Sequence, residues 1–253
     1  MVPSLECFSG WQLALYPTAF EAGGSFVSRG RASPGGGVRG AAADPVRSRA
    51  EAARRARGKV RRYCAANRLN RLGTLTYRGE GCHDARQVRT DLGLFFLDLR
   101  AALGGKPLPY VWVPELHKTG HGFHAHFAVG RYVKQSLLQD VWAHGWVSIK
   151  LLGDLPVGST ARDEARRAAG YLSKYVAKTF QHDGADGGPA IDGRHRYDLA
   201  QGFQPSVERL TATSFEHLRA EASARLGSTP VREWYSWQID DWQGPAALWF
   251  QWA

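Results

Sequence analysis

Glu115, His124 and His126 fall in the stretch "ELHKTGHGFHAHFAVG", residues 115 to 130, and supply a carboxylate and two imidazoles in a pattern suited to a metal ion. Side chains of a β-strand alternate between faces, so His124 and His126 share one face while Phe123, Ala125, Phe127 and Val129 share the other. Glu115 is separated from them by a turn centred near Gly120, and a hairpin through that turn brings its carboxylate opposite the imidazoles. Two nitrogens and one carboxylate oxygen leave positions open for water or a phosphate oxygen. Such a set suits a catalytic divalent ion, Mn²⁺ or Mg²⁺, better than a closed structural zinc site, and the imidazoles favour Mn²⁺. His-x-His alone reads more simply as two surface histidines. The added Glu115, the hairpin and the apolar opposite face argue for a site. His117 shares the face of Glu115 as an alternate ligand, and His121, in the turn, is expected in solvent.

A second group follows in "GYLSKYVAK", where Tyr171 and Tyr175 are one helical turn apart, as are Lys174 and Lys178. Ala165, Ala169, Leu172 and Val176 form the neighbouring apolar stripe, so burying that stripe leaves Tyr171, Tyr175 and Lys178 at the edge of the packed face. By itself this helix reads as two half-buried tyrosines with snorkelling lysines. Beside a metal ion the same groups can do more. A phenol is a weak nucleophile with a pKa of about 10, but a nearby cation favours phenolate, and metal on a phosphate promotes attack. Tyrosine, lysine and metal together suit phosphodiester transesterification.

The elements that must hold these groups alternate along the chain. "LGTLTY" reads as a strand with Thr74 and Thr76 on one face, candidates for lining a DNA site. "DARQVRTDLGLFFLDLRAAL" reads as a helix capped by Asp84, with Val88, Leu92, Phe95, Phe96, Leu99 and Leu103 as its buried stripe. "YVWVPELH" and "GFHAHFAV" make the hairpin, "SLLQDVWAH" a short helix stopped by Gly145, and "GWVSIKLL" another strand. The helix at 159–180 has Thr160 as N-cap with Asp163 and Glu164 in its first turn. The expected fold is α+β: a central antiparallel sheet of about five strands with helices packed on one face, which leaves the imidazoles on the uncovered face. Four strands are clear, and "WQLALYP" near the N-terminus is a candidate for the fifth.

Outside that core, residues 1–45 read as a flexible N-terminal arm, rich in Gly, Ser and Arg around 23–40. A helix over 47–70 has basic residues almost all the way round, and Arg54, Arg55, Arg57, Lys59, Arg61 and Arg62 are candidates for clamping phosphates. The catalytic domain, including this basic helix, is expected over 46–182, and 183–253 is expected as an extension: the loop "HDGADGGPAIDGRH", a helix in "SFEHLRAEASARL" and a Trp-rich tail. Trp234, Trp237, Trp242, Trp249 and Trp252 of that tail are expected to pack rather than to stack on bases. The chain carries 33 Lys+Arg against 23 Asp+Glu, a formal charge of +10, which favours a nucleic-acid partner. Lack of a long apolar run or a signal-like start argues against a membrane partner and for the cytoplasm. Cys7, Cys64 and Cys82 are odd in number and far apart, so reduced thiols are expected.

Taken in order, these residues resemble the HUH endonucleases, and specifically the two-tyrosine rolling-circle replication initiators of plasmids and phages. "LGTLTY" is similar to their first motif, "HAH" with Glu115 upstream to their second, and "YLSKYVAK" to their third, a likeness spanning roughly residues 70 to 180. Between the histidines stands Ala125, and the turn before His124 is long. The resemblance implies a five-stranded antiparallel sheet and a metal-dependent nick in single-stranded or hairpin origin DNA. Tyrosine would attack to give a 5′-phosphotyrosine link and a 3′-hydroxyl that primes synthesis, and a second transesterification would rejoin strands. The chain has no GxxxxGK[ST] loop, so no nucleotide cofactor is expected, and a host helicase and DNA polymerase are the expected partners. A two-tyrosine rolling-circle transposase would use the same residues. A non-cleaving nucleic-acid-binding protein on the same fold is the alternative of another class.

Overall fold

The computed structural model describes residues 9–28, 44–152, 155–181 and 196–253. In chain order the elements are β1 (Gly10–Tyr16), β2 (Glu21–Val27), α1 (Pro45–Asn67), β3 (Arg71–Tyr77), α2 (Ala85–Ala102), β4 (Tyr110–Leu116), β5 (Phe123–Val129), α3 (Gln135–Trp142), β6 (Gly145–Leu151) and α4 (Ala161–Gln181). There follow β7 (Asp198–Leu199), β8 (Glu208–Ala212), α5 (Phe215–Leu226), β9 (Arg232–Tyr235) and β10 (Ala247–Gln251). The fold is α+β, with two antiparallel five-stranded sheets in two compact units, one over residues 44–204 and one joining 1–43 to 205–253.

The unit over 44–204 has strand order β6-β3-β5-β4-β7. One face carries Leu75, Tyr77, Trp112, Ala125, Phe127 and Val147, and buries them against the α2 stripe of Val88, Leu92, Phe95, Phe96 and Leu99 and against Leu138 and Trp142 of α3. The other face carries Leu72, Val111, Val113 and Ala128, and packs on Val60, Tyr63 and Cys64 of α1 and on Ala168, Ala169, Leu172 and Val176 of α4. Helices therefore cover both faces, where the sequence led us to expect one. The reason lies in α1. Arginines occupy much of its length, yet Ala53, Ala56, Val60, Tyr63 and Cys64 keep helical spacing and form a continuous buried stripe. Small residues let α1 lie close against α4, so the helix is amphipathic rather than basic all round.

The fifth strand of this sheet is β7, only two residues long, which pairs with β4 through Val111 and Leu199. Residues 10–16, the sequence candidate for that position, form β1 instead, in the other unit. Sheet register brings Gly73 opposite Phe127, and a methyl group on Gly73 would run into the Phe127 ring. Chain reversal at the end of α3 falls to Ala143, in the left-handed region, and not to Gly145. Gly145 begins β6, where its lack of a side chain lets the backbone approach the Thr76 carbonyl.

In the other unit the sheet order is β8-β1-β2-β10-β9. Trp11, Leu13, Leu15, Leu210, Leu248, Phe250 and Trp252 bury against Leu218 and Ala222 of α5. Residues 10–27 are thus not a flexible arm: they form a hairpin whose outer edges pair with the C-terminal strands β8 and β10. Alternating apolar residues in "GWQLALY" supply the physical reason, since Trp11, Leu13 and Leu15 need a covering layer that only the C-terminal segment provides. Within the Trp-rich tail, Trp252 is fully buried, whereas Trp237 stays half exposed and stacks on Tyr235. Cys7, most of the Gly- and Arg-rich segment over 23–40, and the loop at 182–195 lie outside the described residues.

Candidate metal and tyrosine site

β4 and β5 pair in a register that sets Glu115 directly across from His124, with Val113 across from His126. Gly120 and Gly122 both adopt positive φ, which lets the connection between the strands close without displacing that register. Glu115 Oε2 lies 3.1 Å from His124 Nε2 and 3.0 Å from His126 Nε2, and the two nitrogens are 3.1 Å apart. Thr74 on β3 lies opposite His126, and its hydroxyl is 3.2 Å from His126 Nδ1. Burial lowers the affinity of His126 for a proton below the ordinary imidazole value, outweighing the opposing hydrogen bond to Glu115. Burial would raise the Glu115 carboxyl, but hydrogen bonds from His124, His126 and Lys178 outweigh it and hold the group ionised well below the usual carboxylate range.

These three residues are a group that could hold a metal ion, and their donor atoms fit one. If the Nδ1 proton of His126 goes to Thr74, its Nε2 presents a lone pair toward an ionised carboxylate oxygen, a repulsive contact unless a cation lies between them. Mutual separations of 3.0 to 3.1 Å match the edges of a coordination shell with bonds of about 2.1 Å at roughly right angles. The carboxylate and imidazole set leaves further positions open. Among the described residues no hydrogen-bond partner reaches the buried Nδ1 of His124. His117 is exposed and hydrogen-bonds Thr119, and it takes no part in the three-atom group. His121 is half-buried rather than in solvent, bonded to the Tyr77 carbonyl at 2.9 Å, because the turn folds back onto the end of β3.

The histidine face is covered by α4, which carries the tyrosines. Ala165, Ala168, Ala169, Leu172 and Val176 are all fully buried, so the helix is fixed in rotation by the stripe that the sequence displays. A reciprocal cap starts the helix: the Asp163 amide donates to the Thr160 hydroxyl, and the Thr160 amide and hydroxyl both donate to Asp163 Oδ2. Asn70 braces its first turns to the start of β3, donating to Glu164 Oε2 at 2.6 Å. One turn beyond the buried stripe, the Tyr175 ring stacks on His126 with centroids 3.7 Å apart, and the Tyr171 ring lies at 6.2 Å. Tyr175 donates its hydroxyl hydrogen to Tyr171 Oη at 2.8 Å. Lys178 Nζ pairs with Glu115 Oε1 at 2.6 Å and lies 5.1 Å from the Tyr175 ring centre, while Lys174 lies 5.9 Å from that of Tyr171. Burial, together with Tyr171 and Glu115, pushes the Tyr175 phenol above its ordinary value, so this hydroxyl holds its proton where the sequence suggested that a cation would loosen it.

Glu115, His124, His126, Tyr171, Tyr175 and Lys178 therefore come together, with Lys174 at the margin. Thr74 and Thr76 line the same face of β3, each opposite a histidine. Arg54, Arg55, Arg57 and Lys59 are exposed on α1, and Arg61 and Arg62 are half-buried there. Two residues of structural consequence were not legible as such: Thr74 as a partner of His126, which needs the register of β3 on β5, and the Asn70–Glu164 brace, which needs the docking of α4. On the opposite face a buried Asp91 accepts from Tyr77 at 2.8 Å and Gln87 at 2.7 Å, tying α2 to the end of β3.

Residues 70–180 match the family model of the replication-associated protein ORF2. Over that stretch the chain is similar to replication-associated proteins, and the matched segment holds the whole of the donor cluster and both tyrosines. No curated protein matches the chain, and no solved structure does. Among the described residues, no helix is long and apolar enough to cross a membrane.

Proposed function

We propose that the protein is a rolling-circle replication initiator of the two-tyrosine HUH type, which nicks and rejoins single-stranded or hairpin origin DNA. One observation carries this reading: both tyrosine hydroxyls and Lys178 lie against the Glu115, His124 and His126 donor atoms on one face of one sheet. The match to replication-associated proteins over 70–180 supports the biological setting.

A divalent ion, Mn²⁺ or Mg²⁺, held by Glu115, His124 and His126 would supply Lewis-acid polarisation of the scissile phosphate. Tyrosine Oη attacks phosphorus, forming an O–P bond as the bond to the 3′-oxygen breaks, and the departing oxygen takes up a proton. The 5′ end is then held as phosphotyrosine and the free 3′-hydroxyl primes synthesis by a host polymerase, with a host helicase opening the duplex. Two tyrosines in contact allow one to hold a strand while the other attacks the new junction. Arg54, Arg55, Arg57, Lys59, Arg61 and Arg62 would contribute salt-sensitive affinity for phosphates.

Incubating the protein with single-stranded origin DNA from its own replicon and Mn²⁺ should leave a covalent protein–DNA adduct, visible as a shifted band on a denaturing gel. Its loss in chelator and in the His124→Ala, His126→Ala double variant is expected. Persistence of nicking after both tyrosines are changed to phenylalanine would remove the covalent mechanism.

A further inference from the structure

β6 is an edge strand of the sheet over 44–204, and its register sets Trp146 opposite Thr76, which in turn lies opposite His124. Residues directly opposite in antiparallel strands point to one face, so Trp146, Thr76, His124 and Glu115 form a single row across the sheet. Ser148 and Lys150 follow Trp146 on that face, and all three are exposed, with Trp146 at 59 %. α4 packs over β3, β4 and β5. The neighbour Val147, pointing the other way, is buried among the α2 and α3 side chains. A large exposed aromatic on an edge strand invites unwanted association and adds nothing to the core, so its position beside the donor cluster calls for a ligand.

We infer that Trp146 stacks on a base of the DNA strand whose phosphate lies at the tyrosine site, with Lys150 drawing the backbone along β6. This rests on the function proposed above and names how its DNA is held. Two strand spacings put Trp146 about 10 Å from His124 across the sheet, within the reach of nucleotides flanking the phosphate. A base can stack on an indole only when it is unpaired, which makes single-stranded DNA the occupant. The positive Lys150 and the Ser148 and Thr76 hydroxyls beside it suit a phosphate backbone.

The test measures binding of a fluorescein-labelled oligothymidylate of about 20 nucleotides by anisotropy, in EDTA so that no cleavage occurs. Trp146→Ala should weaken binding about ten-fold or more, the effect of one lost base stack, and Trp146→Phe should restore most of it. An abasic oligonucleotide of the same length should bind both proteins equally. The melting temperature should be unchanged, because the side chain is exposed. If Trp146→Ala binds as tightly as the wild type while the wild type still forms its Mn²⁺-dependent adduct, this inference fails and the proposed function stands. Equal DNA affinities with a shift from dimer to monomer would assign Trp146 to a contact between copies and would also overturn it. Absence of both DNA binding and adduct in the wild type would overturn the functional reading and the inference together.

Discussion

Lys178 Nζ lies 2.6 Å from Glu115 Oε1, while Oε2 of the same carboxylate faces both imidazoles. One carboxylate thus joins the helix that carries the tyrosines to the strands that carry the histidines. Its two oxygens have separate duties, one toward the donor cluster and one toward α4, so the two can be perturbed independently.

Glu115→Gln should lower Mn²⁺ affinity by at least about ten-fold, since it removes the only anionic donor of the group. Lys178→Met leaves all three donors in place and should keep Mn²⁺ affinity within that range, while reducing adduct formation. Manganese titration by electron paramagnetic resonance, run beside the adduct assay, separates the two effects. A Lys178→Met protein that loses metal as completely as Glu115→Gln would show that the oxygens do not act separately.

The two tyrosines should differ in the first cleavage. Tyr175 gives its hydroxyl hydrogen to Tyr171, and burial holds it protonated, whereas Tyr171 is more exposed and accepts a hydrogen bond that can stabilise charge developing on its oxygen during attack. Tyr171→Phe is expected to abolish most of the adduct, and Tyr175→Phe to reduce it by about ten-fold or more through the lost donor. Single-turnover adduct formation with each variant decides the order, and a larger loss in Tyr175→Phe would reverse it.

Gly73→Ala should destabilise the protein by about 1–3 kcal/mol, because the new methyl meets the Phe127 ring, which is held by Phe95 and Phe96. Gly93→Ala offers the opposite case. It is helical, with open space where a methyl would stand, and the change should be neutral or stabilising by about 0.5–1 kcal/mol. Thermal melts of the two variants should therefore move in opposite directions or differ clearly in size. Equal shifts would show that Phe127 yields freely.

Acid should loosen the start of α4. Burial tends to raise the Asp163 carboxyl, but hydrogen bonds from the Thr160 side chain and amide, with Arg166 nearby, lower it overall. A carboxyl with a depressed folded value adds stability that is fully present above its unfolded value of about 3.9 and fades as pH falls through the lower folded value. Asp163→Asn should melt below the wild type at neutral pH, and the gap should close on acidification below about pH 4. A gap that stays constant to lower pH would exclude the carboxylate as its source.

Much of the chemistry was legible because it follows short periods. The two-residue repeat of a strand placed His124 and His126 on one face, and the helical repeat placed Tyr171 and Tyr175 beside the stripe of Ala165, Ala169, Leu172 and Val176. Asp84 and Thr160 announced their helices because capping is a local hydrogen-bonding need. Tertiary structure alone decided that α4 covers the histidine face, since nothing local says which surface an amphipathic helix will choose. It also decided that α1 is half-buried, that residues 10–27 build a sheet with the C-terminal strands, and that Thr74 meets His126. Each depends on pairing or packing between segments far apart in sequence, where the free energy comes from a partner surface that no local pattern contains.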